Sequence, residues 1–301
     1  MKPLAGRAAI VTGGAGGLGR AHARYLASLG ASVLVCDLAR ADEVVEELAA
    51  QGFSAAAHQC DISGWTEARD LVDACVDAFG GLDILVNNAG IVRDRTMANM
   101  TESEWDDVLR VNLKGHAAPS IHAMAYWKKQ VKAGNPVRGS IVHTSSIGGL
   151  MANFGQGNYT SAKLGIVGLS SVLALEGEAI GVRSNVIAPS ARTGLAVQAM
   201  PTTEQFDRPA EAGGFDFWDP ANVSPMVGWL ASPGCTATGQ VFSVAGNEVR
   251  LFAPPTPLRH FTTDGRWTLE DLDRRIGRDL PKWPTALEFL ETFDEKAPAD
   301  G

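Results

Sequence analysis

Short apolar runs alternate with longer amphipathic stretches through the first 250 residues, and that alternation leaves few folds open to the chain. Runs at residues 7–12 (RAAIVT), 31–37 (ASVLVCD), 54–60, 82–86, 140–144, 182–188 and 239–244 read as strands. Residues 41–51, 65–79, 101–112 and 115–132, and a stretch running to about residue 178, read as helices. Thr101-Glu102-Ser103-Glu104 is a capping box that starts one of them. Strands joined through helices lie parallel, with both faces of the sheet covered. The predicted fold is α/β, a doubly wound parallel sheet of about seven strands with helices on both faces.

The first run leads straight into Gly13-Gly14-Ala15-Gly16-Gly17-Leu18-Gly19, and the helix that follows closes on Gly30. Strand, glycine turn and helix together suit a dinucleotide. Glycine lets the backbone approach a pyrophosphate, and the helix N-terminus offers it unpaired N–H groups. The second run ends on Asp37, placed to receive the adenosine ribose hydroxyls and to repel a 2′-phosphate. Leu38 follows where an arginine would welcome that phosphate, so the expected cofactor is NAD rather than NADP. The third strand runs into Asp61 and Ile62, which sit where an adenine could be gripped.

A second constellation carries chemistry. Tyr159 and Lys163 stand four residues apart, one helical turn, and Ser146 lies upstream of them. A phenol with its ordinary pKa of about 10 is a poor acid or base near neutrality. An adjacent ammonium favours the phenolate and brings it into range, while Ser146 could bond the oxygen of an alcohol or carbonyl.

These residues resemble the short-chain dehydrogenase/reductase family. The likeness rests on Thr12-Gly13-x-x-x-Gly17-x-Gly19, Asn87-Asn88-Ala89-Gly90, Asn112, Ser146 and Tyr159-x-x-x-Lys163, in order. It implies a single Rossmann-like domain over residues 1–250. It adds Asn112 to Ser146, Tyr159 and Lys163 as a catalytic residue, expected to interrupt its helix and reach Lys163 through a water. The resemblance places Gly13, Gly17, Leu18, Gly19, Asp37, Asp61, Ile62, Asn88, Ala89, Gly90, Tyr159, Lys163 and Pro189 against the cofactor. A closer likeness, to the dehydrogenase unit of peroxisomal multifunctional enzyme type 2, is carried by residues 91–95, 153–159 and 162–165. It implies oxidation of a 3-hydroxyacyl-CoA or a steroid-like alcohol, by a homotetramer built through residues 115–132 and 157–178. After Pro189 the chain departs from the family, reading Ser190-Ala191-Arg192-Thr193 where glycine is usual.

Substrate signals are thinner. Residues 192–218 are irregular, with Gly213 and Gly214 as hinges and apolar Leu195, Met200, Phe206, Phe215, Phe217 and Trp218. They could close over a hydrophobic substrate, or pack on the sheet or a neighbouring subunit. Arg93, Arg95 and Arg192 could meet CoA phosphates or pair with local carboxylates. Residues 251–301 form an extension rather than a domain, expected to pack on the core or a partner. Leu269, Leu272 and Ile276 share a helical face there that must bury against something.

Composition closes other routes. A net charge of −8 with no basic run argues against nucleic acid and anionic membrane surfaces. Cys36, Cys60, Cys75 and Cys235 fit no metal-ligand spacing and read as core residues in a reducing, cytoplasmic compartment; no metal is expected. Two competitors remain. An NADPH-dependent 3-ketoacyl reductase is disfavoured by Asp37, and a dinucleotide-binding sensor without chemistry by the complete Asn112, Ser146, Tyr159 and Lys163 set.

Overall fold

Eight strands form one sheet in the order β3-β2-β1-β4-β5-β6-β7-β8. The computed structural model describes residues 2–199, 214–276 and 280–293. In chain order the first half runs β1 (Ala8–Thr12), α1 (Gly17–Ser28), β2 (Ser32–Asp37), α2 (Ala41–Ala50), β3 (Ala55–Gln59), α3 (Trp65–Phe79), β4 (Ile84–Asn87), α4 (Glu102–Val108) and α5 (Gly115–Lys132). The second half runs β5 (Gly139–Thr144), α6 (Ile147–Leu150), α7 (Gly157–Glu178), β6 (Val182–Ser190), α8 (Gly194–Ala199), α9 (Ser224–Ala231), β7 (Val241–Ala245), β8 (Glu248–Leu251), α10 (Leu269–Ile276) and α11 (Ala286–Leu290).

Successive strand residues face opposite ways, so each apolar run feeds two cores. Ala9, Val11, Val33, Val35 and Val86 pack against Leu26 of α1, Leu48 of α2 and Leu230 of α9. Ala8, Ile10, Leu34, Leu85 and Ile141 pack against Leu71 of α3, Trp127 of α5 and Leu173 of α7. The buried indole N–H of Trp127 donates to the Leu82 carbonyl at 2.6 Å, which satisfies the one polar atom of that large side chain.

The sheet exceeds the expected seven strands by one, and the addition is antiparallel. Ala245 pairs with Glu248 across Gly246-Asn247, with Gly246 at φ 52°. That two-residue turn needs positive φ, which glycine supplies without strain. In the extension, the face of Leu269, Leu272 and Ile276 is not covered by the described residues of this chain. Leu269 is 87% exposed, because no described element lies over α10. Of the residues expected to line the substrate segment, Met200, Phe206 and Gly213 lie outside the described residues.

The strand order reverses between β1 and its neighbours β2 and β4, and a doubly wound sheet opens a crevice at such a point beyond its carboxyl ends. The glycine turn follows β1, and Asn88-Ala89-Gly90 follows β4, so both flank that crevice.

Candidate active site

The two loops at the crevice are tied together. Thr12 Oγ1 accepts from the backbone N–H groups of Asn88 at 2.9 Å and Ala89 at 3.2 Å. The Asn88 amide donates to the carbonyls of Thr12 and Gly13. The glycines are required by closeness as well as by conformation. Gly13 has φ 63°, and a Cβ on Gly19 would stand 2.0 Å from the Gly13 carbonyl oxygen. The first turn of α1 carries no side-chain cap and no acidic residue, so its N–H groups are open to an anion. This cradle fits the pyrophosphate of a nicotinamide dinucleotide. Leu18 is partly buried and packs against the core beneath.

Asp37 reaches back to the turn, accepting from Ala15 N at 3.0 Å, and also lines a cavity of about 220 Å³ with Arg40, Ala57 and Gln59. Asp61 is differently placed. Its carboxylate is held by Ser63 and by Arg110, the latter at 2.7 Å, and Ile62 is buried in the core against Gly115. The Ile62 side chain, in contrast with Asp37, faces the interior rather than the crevice.

The four expected catalytic side chains meet beside the same opening. Ser146 follows β5 and caps α6, accepting from Gly148 N at 3.1 Å. Tyr159 and Lys163 stand one turn apart on α7, both buried. Lys163 Nζ donates to the Thr144 carbonyl at 2.8 Å and lies 5.7 Å from the Tyr159 ring centre. Residues Leu109–Lys114 wind as a π-helix between α4 and α5, so the helix is interrupted at Asn112. Such insertions re-aim the side chain at a functional position. Both ends of the Asn112 amide bind the Ile91 backbone at 2.8 Å. A Cβ on Gly90 would stand 2.7 Å from Asn112 Oδ1 and 3.3 Å from Lys163 Nζ, so only glycine lets these three converge.

The electrostatics differ from the sequence expectation. Burial pushes the Tyr159 phenol up to about 12; the Ser146 hydroxyl offsets part of this, and Asp94 adds to it. Burial also brings Lys163 down to about 7. Burial is the largest influence on Tyr159, and the Lys163 amine donates to the Thr144 carbonyl. Beneath Lys163, His116 and His143 stack at 5.6 Å and are held neutral by burial.

Sequence reasoning overlooked a polar strap round the site. Asp94 accepts from the buried Gln156 amide at 2.8 Å, and Gln156 accepts from Asn153. Arg95 N donates to the Gly155 carbonyl, and Asn158 holds the carbonyls of Arg93 and Glu104. The available signal was the polar cluster Asn153, Gln156 and Asn158 immediately before Tyr159.

The flanks are sorted as follows. Pro189 lies in β6 beside Val244 of β7. Arg95 pairs with Glu104 and Arg192 with Asp216, whereas Arg93 meets no carboxylate among the described residues. Phe217 buries with Phe293 of the extension, and Phe215 is exposed. The extension also reaches the serine loop. Ala286 N donates to the Ala152 carbonyl, and Ala286 packs with Ile147, the residue after Ser146.

Residues 7–203 match the family model for short chain dehydrogenases. The chain belongs to the short-chain dehydrogenase family. This short-chain dehydrogenase is 42% identical over 95% of its length to a Mycobacterium tuberculosis protein named hydroxyacyl-CoA dehydrogenase ChsB1, of which it covers 94%. It is 37% identical over 81% of its length to mouse peroxisomal multifunctional enzyme type 2, and spans about a third of that longer enzyme, 32%. A crystal structure of a short chain dehydrogenase from Mycobacterium avium superposes with a TM-score of 0.84 at 40% identity, covering 94% of this chain and 98% of that one. As a short-chain dehydrogenase, the chain is an oxidoreductase of a family that binds a nicotinamide dinucleotide. Among the described residues, no helix is long and apolar enough to cross a membrane, and no group of His, Cys, Asp and Glu could hold a metal.

Proposed function

We propose that this short-chain dehydrogenase uses NAD to interconvert a 3-hydroxyacyl-CoA and its 3-keto counterpart. The observation that carries this reading is the convergence of Ser146, Tyr159, Lys163 and Asn112 beside a glycine cradle shaped for a dinucleotide. The name of the 42% identical relative supports the substrate class.

A bound nicotinamide ring supplies the hydride acceptor, and its positive charge favours the phenolate. The remaining work falls to the chain. Tyr159 takes the hydroxyl proton of the alcohol, and Ser146 orients the oxygen and stabilises charge developing on it. Lys163, near 7, can lose and regain a proton at neutral pH and so can pass it on past Asn112. Burial of Tyr159 keeps its proton from bulk water until substrate and cofactor are both in place.

NAD preference is supported by Asp37 at the rim of the adenosine cavity. Arg40 favours a second reading, NADP, since it lines the same cavity. Its Nε–H and one Nη2–H, however, are engaged by Glu43 at 3.0 Å, and that carboxylate offsets its charge. Arg93, without a carboxylate partner among the described residues, is the arginine best placed to meet a CoA phosphate. Ile121 on α5 and Leu164, Val172 and Leu175 on α7 are exposed apolar residues, which supports a homotetramer built through those helices.

Tyr159→Phe tests the mechanism. NADH formation from (3R)-hydroxyacyl-CoA should fall by about 10²–10⁴-fold while dinucleotide binding, read by calorimetry, survives. Near-normal turnover would remove the acid–base role.

A further inference from the structure

Two thiols that the proposed mechanism does not use are buried in the core directly before Asp37 and Asp61 in the chain. Cys36 Sγ and Cys60 Sγ are 3.5 Å apart. Cys36 is the penultimate residue of β2, immediately before Asp37, and Cys60 follows β3 immediately before Asp61. The two strands pair in parallel, with Cys36 beside His58. Cys36 is wholly buried among Leu34, Leu71 and Ile62, whereas Cys60 retains 9% of its surface. Cys75 and Cys235 are buried elsewhere and have no sulfur partner among the described residues.

We propose that Cys36 and Cys60 form a hydroperoxide-reactive dithiol, whose oxidation to a disulfide weakens the grip on the dinucleotide. The second half of this claim rests on the reading that Asp37 holds the adenosine end. Cys60, the less deeply buried of the two, is the attacking sulfur, and the hydrogen bond between the sulfurs favours its thiolate when Cys36 is the donor. The Cys60 thiolate attacks the outer oxygen of a hydroperoxide. The O–O bond breaks, an alkoxide leaves and takes up a proton, and Cys60 becomes a sulfenic acid. The Cys36 sulfur then attacks the Cys60 sulfur, an S–S bond forms, and the hydroxyl leaves with the Cys36 proton as water. Two thiols are oxidised by two electrons, and the hydroperoxide is reduced to an alcohol and water.

Bond formation requires movement. A disulfide spans about 2.05 Å, so the sulfurs must close by roughly 1.5 Å from their present separation. Buried in a packed core, Cys36 cannot swing alone; the ends of β2 and β3 must draw together. Asp37 and Asp61 are the next residues on those ends. Asp37 is also bonded to Ala15 of the glycine turn, so the displacement reaches the pyrophosphate cradle.

The experiment treats the full chain with a tert-alkyl hydroperoxide, maps its peptides without reductant, and measures the dinucleotide Kd by calorimetry before and after. A linked Cys36–Cys60 peptide should appear, vanish with dithiothreitol, and accompany a rise in Kd of about tenfold or more, as for loss of one charge-assisted bond. Cys60→Ser, and separately Cys36→Ala, should abolish both the link and the rise. Consumption of Cys60 without a link to Cys36 overturns the proposal, as does a link that leaves Kd unchanged. If the reduced protein prefers NADP, the Asp37 reading fails on its own, and the same comparison made with NADP still decides whether oxidation loosens the cofactor.

Discussion

Mild acid should destabilise this protein well before its carboxylates are protonated. His22, His116 and His143 are wholly buried, and burial holds His22 and His143 down to about 3 and His116 well below its ordinary value. Once unfolded, each ring regains a pKa of about 6.5. Below that pH the unfolded chain takes up protons that the folded chain refuses, so stability falls as pH drops from 6.5 towards 3. At pH 5, about 1.5 units below the ordinary value, each ring costs about 2 kcal/mol. Three rings together cost about 6 kcal/mol, comparable with the whole stability of an ordinary domain. Carboxylates pulled down by arginines, such as Glu47, lose stability only at lower pH, so they do not mask the effect. Urea unfolding at pH 7 and pH 5, at fixed ionic strength, measures it. His22→Asn keeps a polar atom where Nδ1 meets Ser224 Oγ at 2.9 Å, and should cut the pH-dependent loss by about a third. A wild-type loss below about 2 kcal/mol, or an equal loss in the variant, would refute the reasoning.

Gly19→Ala should lower kcat/KM for the dinucleotide by about 10²-fold, because its Cβ would stand 2.0 Å from the Gly13 carbonyl and shift the turn. Unchanged steady-state kinetics would mean that the turn does not seat the cofactor. Asp37→Ala should reduce the NAD-to-NADP ratio of kcat/KM by about 10- to 100-fold, and an unaltered ratio would place discrimination elsewhere. Arg250→Ala removes bonds to Thr292 and a guanidinium 4.0 Å above the Phe293 ring. It should expose residues 284–293 to limited proteolysis at a rate several-fold above wild type; equal cleavage rates would show that the extension is held by other contacts.

The fold was legible because strand and helix periodicities alternate cleanly, and the glycine turn stands between a strand and a helix. The meeting of the serine, tyrosine and lysine was legible because it follows from residue type and short spacing on one helix and just past the strand before it. What the sequence hid depends on contacts between distant segments. The bond from Gln156 to Asp94, 62 residues away, has no periodic signature. Nor could the tyrosine–lysine spacing show how deeply both side chains are buried. The eighth strand and α11 did leave local marks, Gly246-Asn247 and the Thr285–Glu288 capping box, which are readable once sought.

The knot at Thr12 has a practical bearing on redesign. Its hydroxyl and the Asn88 amide bind the glycine turn to the loop that ends at Gly90, where Asn112 and Lys163 converge. On the proposed reading, substitutions on the inner side of the cleft therefore disturb cofactor seating and proton handling together. The Asp37–Arg40 rim meets the turn through the Asp37 bond to Ala15 N, so on the proposed reading a change there alters coenzyme choice and shifts the turn, while the contacts of Asn112 and Lys163 are left in place.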